Sequence, residues 1–260
     1  MKISIITVAF NSQDTISRTI ESVLMQKDVQ LEYLIIDGAS TDKTIEIAES
    51  YCEQFEKKGI QFYIKSEPDN GIYDAMNKGI LLSTGDIIGI INSDDYYTNN
   101  NILHSVCEEF EKSQIDSLYG NLLYIKNNKP YRYWKSGSPR TFKFGWMPPH
   151  PTVFIKKIIY EKYGLFRLDL GTAADYELLL RFFEKNAIST KWVNQLFVYM
   201  EAGGASGKNL EAYKKSHKSD QEAWVINNLK PMIGFAWLKK LRKLPQLITA
   251  KFFKYKPENK

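Results

Sequence analysis

The chain lacks the features that mark several protein classes. It has two cysteines in 260 residues, too few for a network of disulfide bonds, and no CxxC or clustered Cys/His spacing that would hold zinc. We therefore expect a protein of a reducing compartment. No run of residues approaches the ~18 apolar positions of a membrane-spanning helix, and the N-terminal apolar run is too short for a signal peptide.

Two signatures of nucleotide-binding enzymes are also missing. The sequence contains neither GxGxxG nor GxxxxGK[ST], which argues against a dehydrogenase and against a P-loop NTPase. Apolar residues are not scarce, since 43% of the chain is hydrophobic and 25% is charged. This composition predicts a globular protein with a full core and excludes disorder and collagen.

Positive charge is unevenly distributed along the chain. The net charge is +5, yet residues 230–260 carry nine lysines and arginines against Glu258 alone. The rest of the chain is therefore mildly acidic. A basic tail on an acidic body predicts a local contact with an anionic surface, and it argues against a nucleic-acid partner.

Apolar runs and helical patterns alternate over the first 95 residues. This order predicts an α/β fold with a parallel, doubly wound sheet, whose ligands bind beyond the carboxyl ends of the strands. We expect one domain over residues 1–229, followed by a basic extension over 230–260. The predicted strands are Ile3–Phe10, Leu31–Ile36, Ile60–Ser66 and Ile87–Asn92, and the predicted helices are Thr15–Gln26, Lys43–Lys57 and Ile72–Leu82.

Polar side chains follow these strands where they end. Turn or helix-capping roles are open for Ser40 and Asp42, because such residues favour caps whatever the function. Asp94 and Asp95 are different, since adjacent carboxylates after a buried run repel each other unless a cation compensates. Two hard oxygen ligands side by side predict a site for Mn²⁺ or Mg²⁺.

Five segments together resemble the family 2 inverting glycosyltransferases of the GT-A fold, especially bacterial enzymes that build O-antigens, capsules and exopolysaccharides. The resemblance implies a Rossmann-like, mainly parallel sheet flanked by helices and a nucleoside diphosphate sugar as the donor. The segments are ISIITVAFN at 3–11, LIIDGASTDKT at 34–44, SEPDNGIYDAMNKGI at 66–80, TGDIIGIINSDD at 84–95 and AADYELLLR at 173–181.

The resemblance implies a role for each residue of the donor site. Asp37 would accept a hydrogen bond from the ring nitrogen of the base, commonly uracil, and Asp95 would coordinate the divalent ion on the diphosphate. A turn role for Gly71 stays open. The other residues that the resemblance places at the donor are Thr7, Val8, Asn11, Gly71, Asp74, Asn77, Lys78, Asn92, Ser93 and Asp94.

An inverting transfer needs a general base for the acceptor hydroxyl. The family places this carboxylate in a Glu-Asp pair at a helix start, and here the pair reads Ala174-Asp175. The resemblance thus makes Asp175 the candidate base, with Glu177 as its rival within the same turn. A helix-start acid favoured by the helix dipole is the structural alternative for Asp175.

The segment from Tyr119 to Phe154 is rich in aromatic and basic residues. Sugar rings stack on aromatic faces, so Trp146 is a candidate for the acceptor side, with core packing as the alternative. His150 matches a histidine that the family often carries here. We expect it to contact the acceptor or a phosphate, unless it is structural.

Aromatic and aliphatic residues interleave with the cations of residues 230–256 and are interrupted by Pro245. This pattern predicts an interfacial element that binds an anionic membrane. The alternative is a helix that packs on the catalytic domain with a solvated basic face. The resemblance favours the membrane, because many family members act on polyprenyl diphosphate carriers at its cytoplasmic face.

The sequence therefore predicts a metal-dependent, inverting transfer of a hexose or hexosamine, with UDP as the expected carrier, to a lipid-linked saccharide. The protein would lie at the inner face of the bacterial cytoplasmic membrane. Two alternatives remain. A nucleotidyltransferase shares the sheet and the paired acids but normally has a Gly-rich loop after the first strand. A non-catalytic saccharide-binding protein is supported only by the missing acid at Ala174.

Overall fold

The computed structural model describes residues 1–202, 219–232, 234, 241, 244–253 and 255. Its strands are β1 (Lys2–Ala9), β2 (Gln30–Asp37), β3 (Gln61–Ser66), β4 (Ile87–Asn92), β5 (Tyr96–Tyr97), β6 (Ser117–Lys126), β7 (Lys129–Trp134), β8 (Val153–Lys156) and β9 (Thr190–Glu201). Its helices are α1 (Ile16–Leu24), α2 (Thr44–Glu49), α3 (Cys52–Lys57), α4 (Ile72–Leu82), α5 (Ile102–Lys112), α6 (Lys157–Tyr163), α7 (Ala174–Leu179), α8 (residues 219–226) and α9 (Leu244–Thr249).

The first half of the sheet is parallel, as the alternation of strands and helices predicts. The strands lie in the order β3-β2-β1-β4, and β1 pairs in parallel with both β2 and β4. β1 is buried along nearly its whole length and rich in isoleucine, which is typical of a central strand covered on both faces. Right-handed crossovers through helices then bring the four carboxyl ends to one edge.

Beyond β4 the sheet is mixed, so the expectation of a mainly parallel sheet holds only for the first half. β8 runs antiparallel to β4, β6 antiparallel to β8, and β9 parallel to β6. β7 returns along β6 through a tight turn at Asn127 and Asn128, which have φ values of 50° and 57°. Antiparallel neighbours need only such short connections, which is why the helical alternation stops here.

The sheet curls so that its far end approaches β4 again. β5 follows β4 after three residues, yet it pairs with β9 at the other end of the strand order. The segment 93–95 therefore crosses from β4 to β9 over the edge of the sheet. Since β8 pairs only with Ile87–Gly89, the carboxyl half of β4 extends beyond it towards this crossing.

Two apolar clusters cover the two faces of the sheet. One packs α1, α3 and α5 against residues such as Ile5 and Ile35, and the other packs α4, α6 and α7 against residues such as Ile6 and Ile36. Trp224 of α8 is fully buried and donates its indole N–H to the Tyr176 hydroxyl at 2.9 Å. α7 is thereby held from both sides.

Local details of two predicted helices differ from the structure. The helix predicted over 43–57 divides into α2 and α3, with Ser50 and Tyr51 between them. The residue that caps α1 is Thr15, which forms no side-chain cap hydrogen bond. Asn11 lies in the turn before it, with φ at 48°.

The described part of the extension packs on the second half of the sheet. α9 and the turn after it lie along β7, and Ala250 is buried against Leu123 and Ile125. The Tyr255 hydroxyl lies 2.7 Å from the Tyr96 hydroxyl. Within the described ranges, no helix combines the length and apolarity needed to cross a bilayer.

A substitution at Gly89 tests the packing at the junction between the parallel and mixed halves of the sheet. Gly89 pairs directly with Phe154 on β8, and a Cβ at this position would lie 2.6 Å from the Phe154 ring and 2.9 Å from Ile5. We expect Gly89→Ala to lower the free energy of unfolding in urea by about 1–3 kcal/mol through overpacking. Phe154→Leu in the same chain should restore part of the loss, and unchanged stability of Gly89→Ala would contradict this packing.

Candidate active site

Hydrogen bonds join the loops after β1 and β2 at the carboxyl edge of the sheet. Asn11 donates its backbone N–H to the Ser40 hydroxyl at 2.7 Å and accepts from the Thr41 N–H at 2.9 Å. Asp42 accepts from the N–H groups of Gln13 and Thr44, at 3.1 and 3.0 Å. Asp42 thus anchors the start of α2, which fulfils the local structural role left open for it.

The loop after β4 is tied to the same assembly. The hydroxyl groups of Ser12 and Ser93 lie 2.7 Å apart, and the Thr19 hydroxyl donates to the Asp95 carbonyl at 2.7 Å. The structure therefore brings Asn11, Ser93 and the two adjacent aspartates to one edge, as the sequence predicts. Thr7 and Val8 lie just below it, buried within the sheet.

Asp37 is fully buried at the end of β2. Its carboxylate accepts from the Ser40 N–H at 2.8 Å, the Ser40 hydroxyl at 2.5 Å and the Ser66 hydroxyl at 2.6 Å. These three bonds fix the carboxylate between the loops that follow β2 and β3. The role of Asp37 as reader of the base stays a prediction.

Asp95 carries the most unusual polar atom of the site. Its side chain is fully buried, and Oδ2 accepts from the Asn92 amide at 3.0 Å. Oδ1 is buried and has no hydrogen-bond partner among the described residues. Burial, and then the neighbouring carboxylate of Asp94, raise the pKa of Asp95 well above its ordinary value. Burial is also the main cause that raises the pKa of the half-buried Asp94.

Arg18 supplies positive charge beside the two aspartates. Its guanidinium lies 3.1 Å from the Glu201 carboxylate, 3.4 Å from the Asp94 carbonyl and 4.1 Å from the centroid of the Tyr96 ring. Arg18 favours the ionised forms of both aspartates, while Glu201 opposes them. One cation shared among three carboxylates leaves the pair at 94 and 95 short of positive charge.

A divalent cation would supply the positive charge that the aspartate pair lacks. An unpartnered, buried carboxylate oxygen beside a second carboxylate is the hard-oxygen environment that Mn²⁺ and Mg²⁺ prefer. The described residues contain no group of three acidic, histidine or cysteine side chains that could hold an ion alone. Such an ion would therefore take its remaining ligands from water or from a bound diphosphate.

The loop before α4 is organised by its own acids. Gly71, at φ 105°, precedes the helix and donates its backbone N–H to Asp69 Oδ1 at 2.8 Å. Asp74 accepts from the Asn70 N–H at 3.0 Å, and Lys78 forms ion pairs with Glu67 and Asp74 at 3.1 and 3.5 Å. The positive φ supports the turn role of Gly71.

Asn77 makes structural contacts. Its amide donates to the Phe166 carbonyl and accepts from the Phe166 N–H, both at 2.9 Å, so it binds α4 to the segment before α7. The polar atoms of Asn77 and Lys78 therefore bond to other parts of the fold. Their predicted contacts with the donor have no support in this geometry and remain predictions.

Asp175 lies half-buried in the first turn of α7. The Tyr73 hydroxyl is within hydrogen-bonding reach of its carboxylate, and burial together with the charge of Asp175 raises the pKa of Tyr73. Tyr73 is itself packed against Phe166, with ring centroids 5.4 Å apart. α4 and the segment before α7 thus hold a phenol beside the candidate base.

Tyr124 on β6 connects Asp175 with the aspartate pair. Burial raises the pKa of Tyr124, and the charges of Asp95 and Asp175 raise it further. Arg132 opposes these effects. Both carboxylates thus act on one hydroxyl, although 80 positions separate them in the sequence.

Glu177 differs sharply from Asp175. Its fully buried carboxylate forms two hydrogen bonds with Arg181, at 2.9 and 3.0 Å, and a third with the Asn227 amide at 3.0 Å. Two charge-assisted hydrogen bonds in a buried ion pair fix the positions of both side chains. The geometry therefore favours Asp175 over Glu177 as the base.

The two predicted acceptor residues are mostly packed. His150 lies edge-to-face on Phe166, and burial lowers the pKa of its imidazole to about 4. His150 is thus neutral near pH 7 and offers a hydrogen bond rather than a positive charge. Trp146 is 4% exposed, contacts Tyr119 and Phe142, and donates to the Ser136 carbonyl at 2.9 Å.

Sequence reasoning missed four residues of this site. In the sequence, Arg18 is only a cation in the first turn of the helix after β1. Glu201 is only an acid at the end of a strand. Neither position is unusual by itself. Tyr73 and Tyr124 carry no signal at all, because tyrosines are common in cores and their neighbours come from distant segments. The missed residues are Arg18, Tyr73, Tyr124 and Glu201.

Removing the unpartnered charge should stabilise the metal-free protein. We expect Asp95→Asn to raise the free energy of unfolding in EDTA by about 1–3 kcal/mol. Folding raises the pKa of Asp95, so the wild type loses stability as the pH rises from the unfolded-state pKa through the folded-state pKa. The stability gained by Asp95→Asn should therefore be larger at about pH 8 than at about pH 5. Urea unfolding at both pH values measures it.

Asp94→Asn is the matched control, since that side chain is only half-buried and should give a smaller gain. A loss of stability in Asp95→Asn at both pH values would show that the carboxylate is compensated in the folded protein.

Comparisons with known proteins extend this picture. Residues 4–170 match the model of the glycosyl transferase family 2. The uncharacterized glycosyltransferase MT1564 of Mycobacterium tuberculosis (strain CDC 1551 / Oshkosh) is 32% identical over 189 residues, covering 69% of this chain and 68% of its own length. A PGL/p-HBAD biosynthesis glycosyltransferase of Mycobacterium bovis is 26% identical over 205 residues, covering 78% of each protein.

Solved structures share the fold at low sequence identity. TarS 1–349 of S. aureus in complex with UDP-GlcNAc has a TM-score of 0.68 and 19% identity, covering 96% of this chain and 79% of that one. The mannosyltransferase PcManGT of Pyrobaculum calidifontis, in complex with GDP-Man and Mn²⁺, has a TM-score of 0.62 and 15% identity, covering 95% and 73%. With the match to the family model over most of its length, this chain belongs to glycosyl transferase family 2.

Proposed function

We propose that the protein transfers one hexose or hexosamine from a nucleoside diphosphate sugar to a lipid-linked saccharide, with inversion at the anomeric carbon. The observation that carries this proposal is the position of Tyr124, which lies within electrostatic reach of both Asp95 and Asp175. A group suited to the donor diphosphate and a group suited to the acceptor hydroxyl would then border one space. Transfer between two substrates requires that arrangement.

The donor would occupy the carboxyl edge of β1, β2 and β4. Ligands of open α/β sheets bind at this edge, and the joined loops around Asn11, Ser40 and Ser93 form it here. Structural relatives are named in complex with UDP, UDP-GlcNAc and GDP-Man, which supports a nucleotide sugar as the donor class. UDP is the carrier that we propose.

Asp95, assisted by Asp94, would hold the divalent ion. Bound there, Mn²⁺ or Mg²⁺ would supply positive charge to the diphosphate as negative charge develops on it. The chain's own part is to present a buried carboxylate oxygen without a competing donor. Arg18 and the Asn92 amide fix the position of this pair.

Asp175 would accept the proton from the acceptor hydroxyl as that oxygen attacks. The Tyr73 hydroxyl orients the carboxylate from one side, and the Tyr176 N–H reaches Asp175 Oδ1 at 2.7 Å. The neighbouring Ala174 is fully buried, so a glutamate there would point into the core of this fold. The missing acid therefore reflects local packing, and one carboxylate remains for the base.

We propose that the acceptor is lipid-linked and that the protein docks on the cytoplasmic face of the membrane. The extension packs with its inner side, yet its outer side leaves Ile248 at 64% and Phe252 at 83% exposure. Lys251 is also exposed between them. Exposed apolar side chains beside cations favour an anionic lipid surface.

Asp175→Asn tests the proposed base. We expect kcat for sugar transfer to fall by about 10²–10⁴-fold, because the amide cannot take the proton, while UDP binding stays unchanged. Steady-state rates with a polyprenyl-linked acceptor and calorimetric titration with UDP measure the two effects. Asp169→Asn, an exposed acid six positions earlier, is the control. Full activity of Asp175→Asn would remove it from the mechanism.

The double variant Ile248→Glu, Phe252→Glu tests the proposed membrane contact. We expect its binding to vesicles of phosphatidylglycerol and phosphatidylcholine to weaken by about tenfold or more, since two apolar anchors are replaced by charge. Vesicle flotation measures the bound fraction. Leu81→Glu, which alters a 69% exposed leucine on α4, should leave binding unchanged. Equal binding of all three proteins would contradict the proposed docking face.

A further inference from the structure

A cavity of about 330 Å³ lies between β7, the turn at 145–147 and α9. Its walls come from the catalytic domain on one side and from the extension on the other, and we call it the β7–α9 cavity. The main lining residues are Arg132, Trp134, Lys135, Trp146, Gln246 and Thr249.

The walls combine aromatic surface with positive charge. The half-buried Trp134 offers indole surface of the kind on which sugar rings pack, and the buried Trp146 lies behind the cavity wall. Arg132 and Lys135 are both cationic, and none of the described residues that line the cavity is acidic. This combination favours a ligand that has both a sugar ring and a negative charge.

Two polar atoms of the cavity residues are buried without a partner. They are Nε of Arg132, a hydrogen-bond donor, and Oε1 of Gln246, an acceptor. Each such atom costs stability unless a ligand or water satisfies it. A phosphate oxygen would accept from Arg132 and a sugar hydroxyl would donate to Gln246, so one glycosyl phosphate satisfies both atoms.

Arg132 also connects the cavity with the active site. Its guanidinium stacks over the Tyr124 ring at 3.9 Å and lies 5.3 Å from the centroid of Trp134. Tyr124 is the residue within electrostatic reach of Asp95 and Asp175. The cavity therefore adjoins the proposed reaction space, and on its other side it adjoins α9, whose outer face is apolar.

We propose that the β7–α9 cavity binds a glycosyl phosphate, the phosphate-bearing sugar at the reducing end of the acceptor. Arg132 and Lys135 pair with the phosphate, and the sugar ring packs on Trp134. The inference rests on the proposed function, because it assigns a place to one part of the proposed acceptor. It also explains why α9 closes one wall, since the lipid attached to that phosphate would leave the cavity beside the exposed Ile248.

Calorimetric titration of the full chain with glucose 1-phosphate tests the proposal. UDP and Mn²⁺ are present in excess, so that the probe cannot occupy the proposed donor site. We expect saturable binding at millimolar concentration, with weaker binding of glucose and of inorganic phosphate. Arg132→Gln should weaken binding of glucose 1-phosphate about tenfold or more, because a charge-assisted hydrogen bond is lost.

Lys129→Gln is the matched control, since it removes an exposed cation from the same strand outside the cavity and should bind like the wild type. If Arg132→Gln fails to fold, Gln246→Glu serves instead. Its carboxylate should repel the phosphate and weaken glucose 1-phosphate binding while UDP binding persists. Equal affinity of the wild type and the folded cavity variants, or no saturable binding of the probe, would overturn the proposal.

A farnesyl diphosphate-linked N-acetylglucosamine distinguishes the sources of the phosphate. Tighter binding than glucose 1-phosphate, lost in Arg132→Gln, indicates the lipid-linked compound, and equal binding indicates a soluble sugar phosphate. A separate UDP titration keeps the two proposals apart. UDP binding without probe binding rejects the cavity alone, and probe binding without UDP binding rejects the proposed donor site while the cavity stands.

Discussion

The proposed site depends on one atom, the buried Oδ1 of Asp95, to which no described residue donates a hydrogen bond. The charge on Asp95 is costly because its carboxylate is buried. Among the described residues, the Asn92 amide and the guanidinium of Arg18 offset only part of that cost. The proposed divalent cation would meet the remaining demand for positive charge at this edge of the sheet.

The mixed half of the sheet would serve the proposed second substrate. A purely parallel sheet would end at β4 and leave the aspartate pair at its border. Instead, β8, β6 and β9 continue the sheet and curl it, so β5 can pair with β9 directly after Asp95. The same continuation carries Tyr124 on β6, whose pKa the charges of both Asp95 and Asp175 raise. In the proposed reaction, this curl would bring the donor and the acceptor together.

Much of the parallel half could be predicted from the sequence, because buried strands and helices leave strong periodic signals. β4 and α4 match their predicted bounds, and the aspartates after β4 stand where a ligand edge requires them. The mixed half was less predictable, since antiparallel pairing depends on short turns such as Asn127-Asn128. The groups to which the polar side chains form hydrogen bonds could not be predicted from the sequence. Asn77 sits in a motif segment, yet its amide binds the Phe166 backbone.

Release of UDP from a panel of nucleotide sugars, with Mn²⁺ or with EDTA, tests whether this edge of the sheet holds a nucleotide sugar. A crude polyprenyl-linked acceptor is supplied in each assay. We predict that one donor is turned over, that turnover requires the ion, and that it requires the acceptor. Turnover of no donor, together with failure of UDP to bind in the presence of Mn²⁺, would contradict the claim that this edge of the sheet holds a nucleotide sugar.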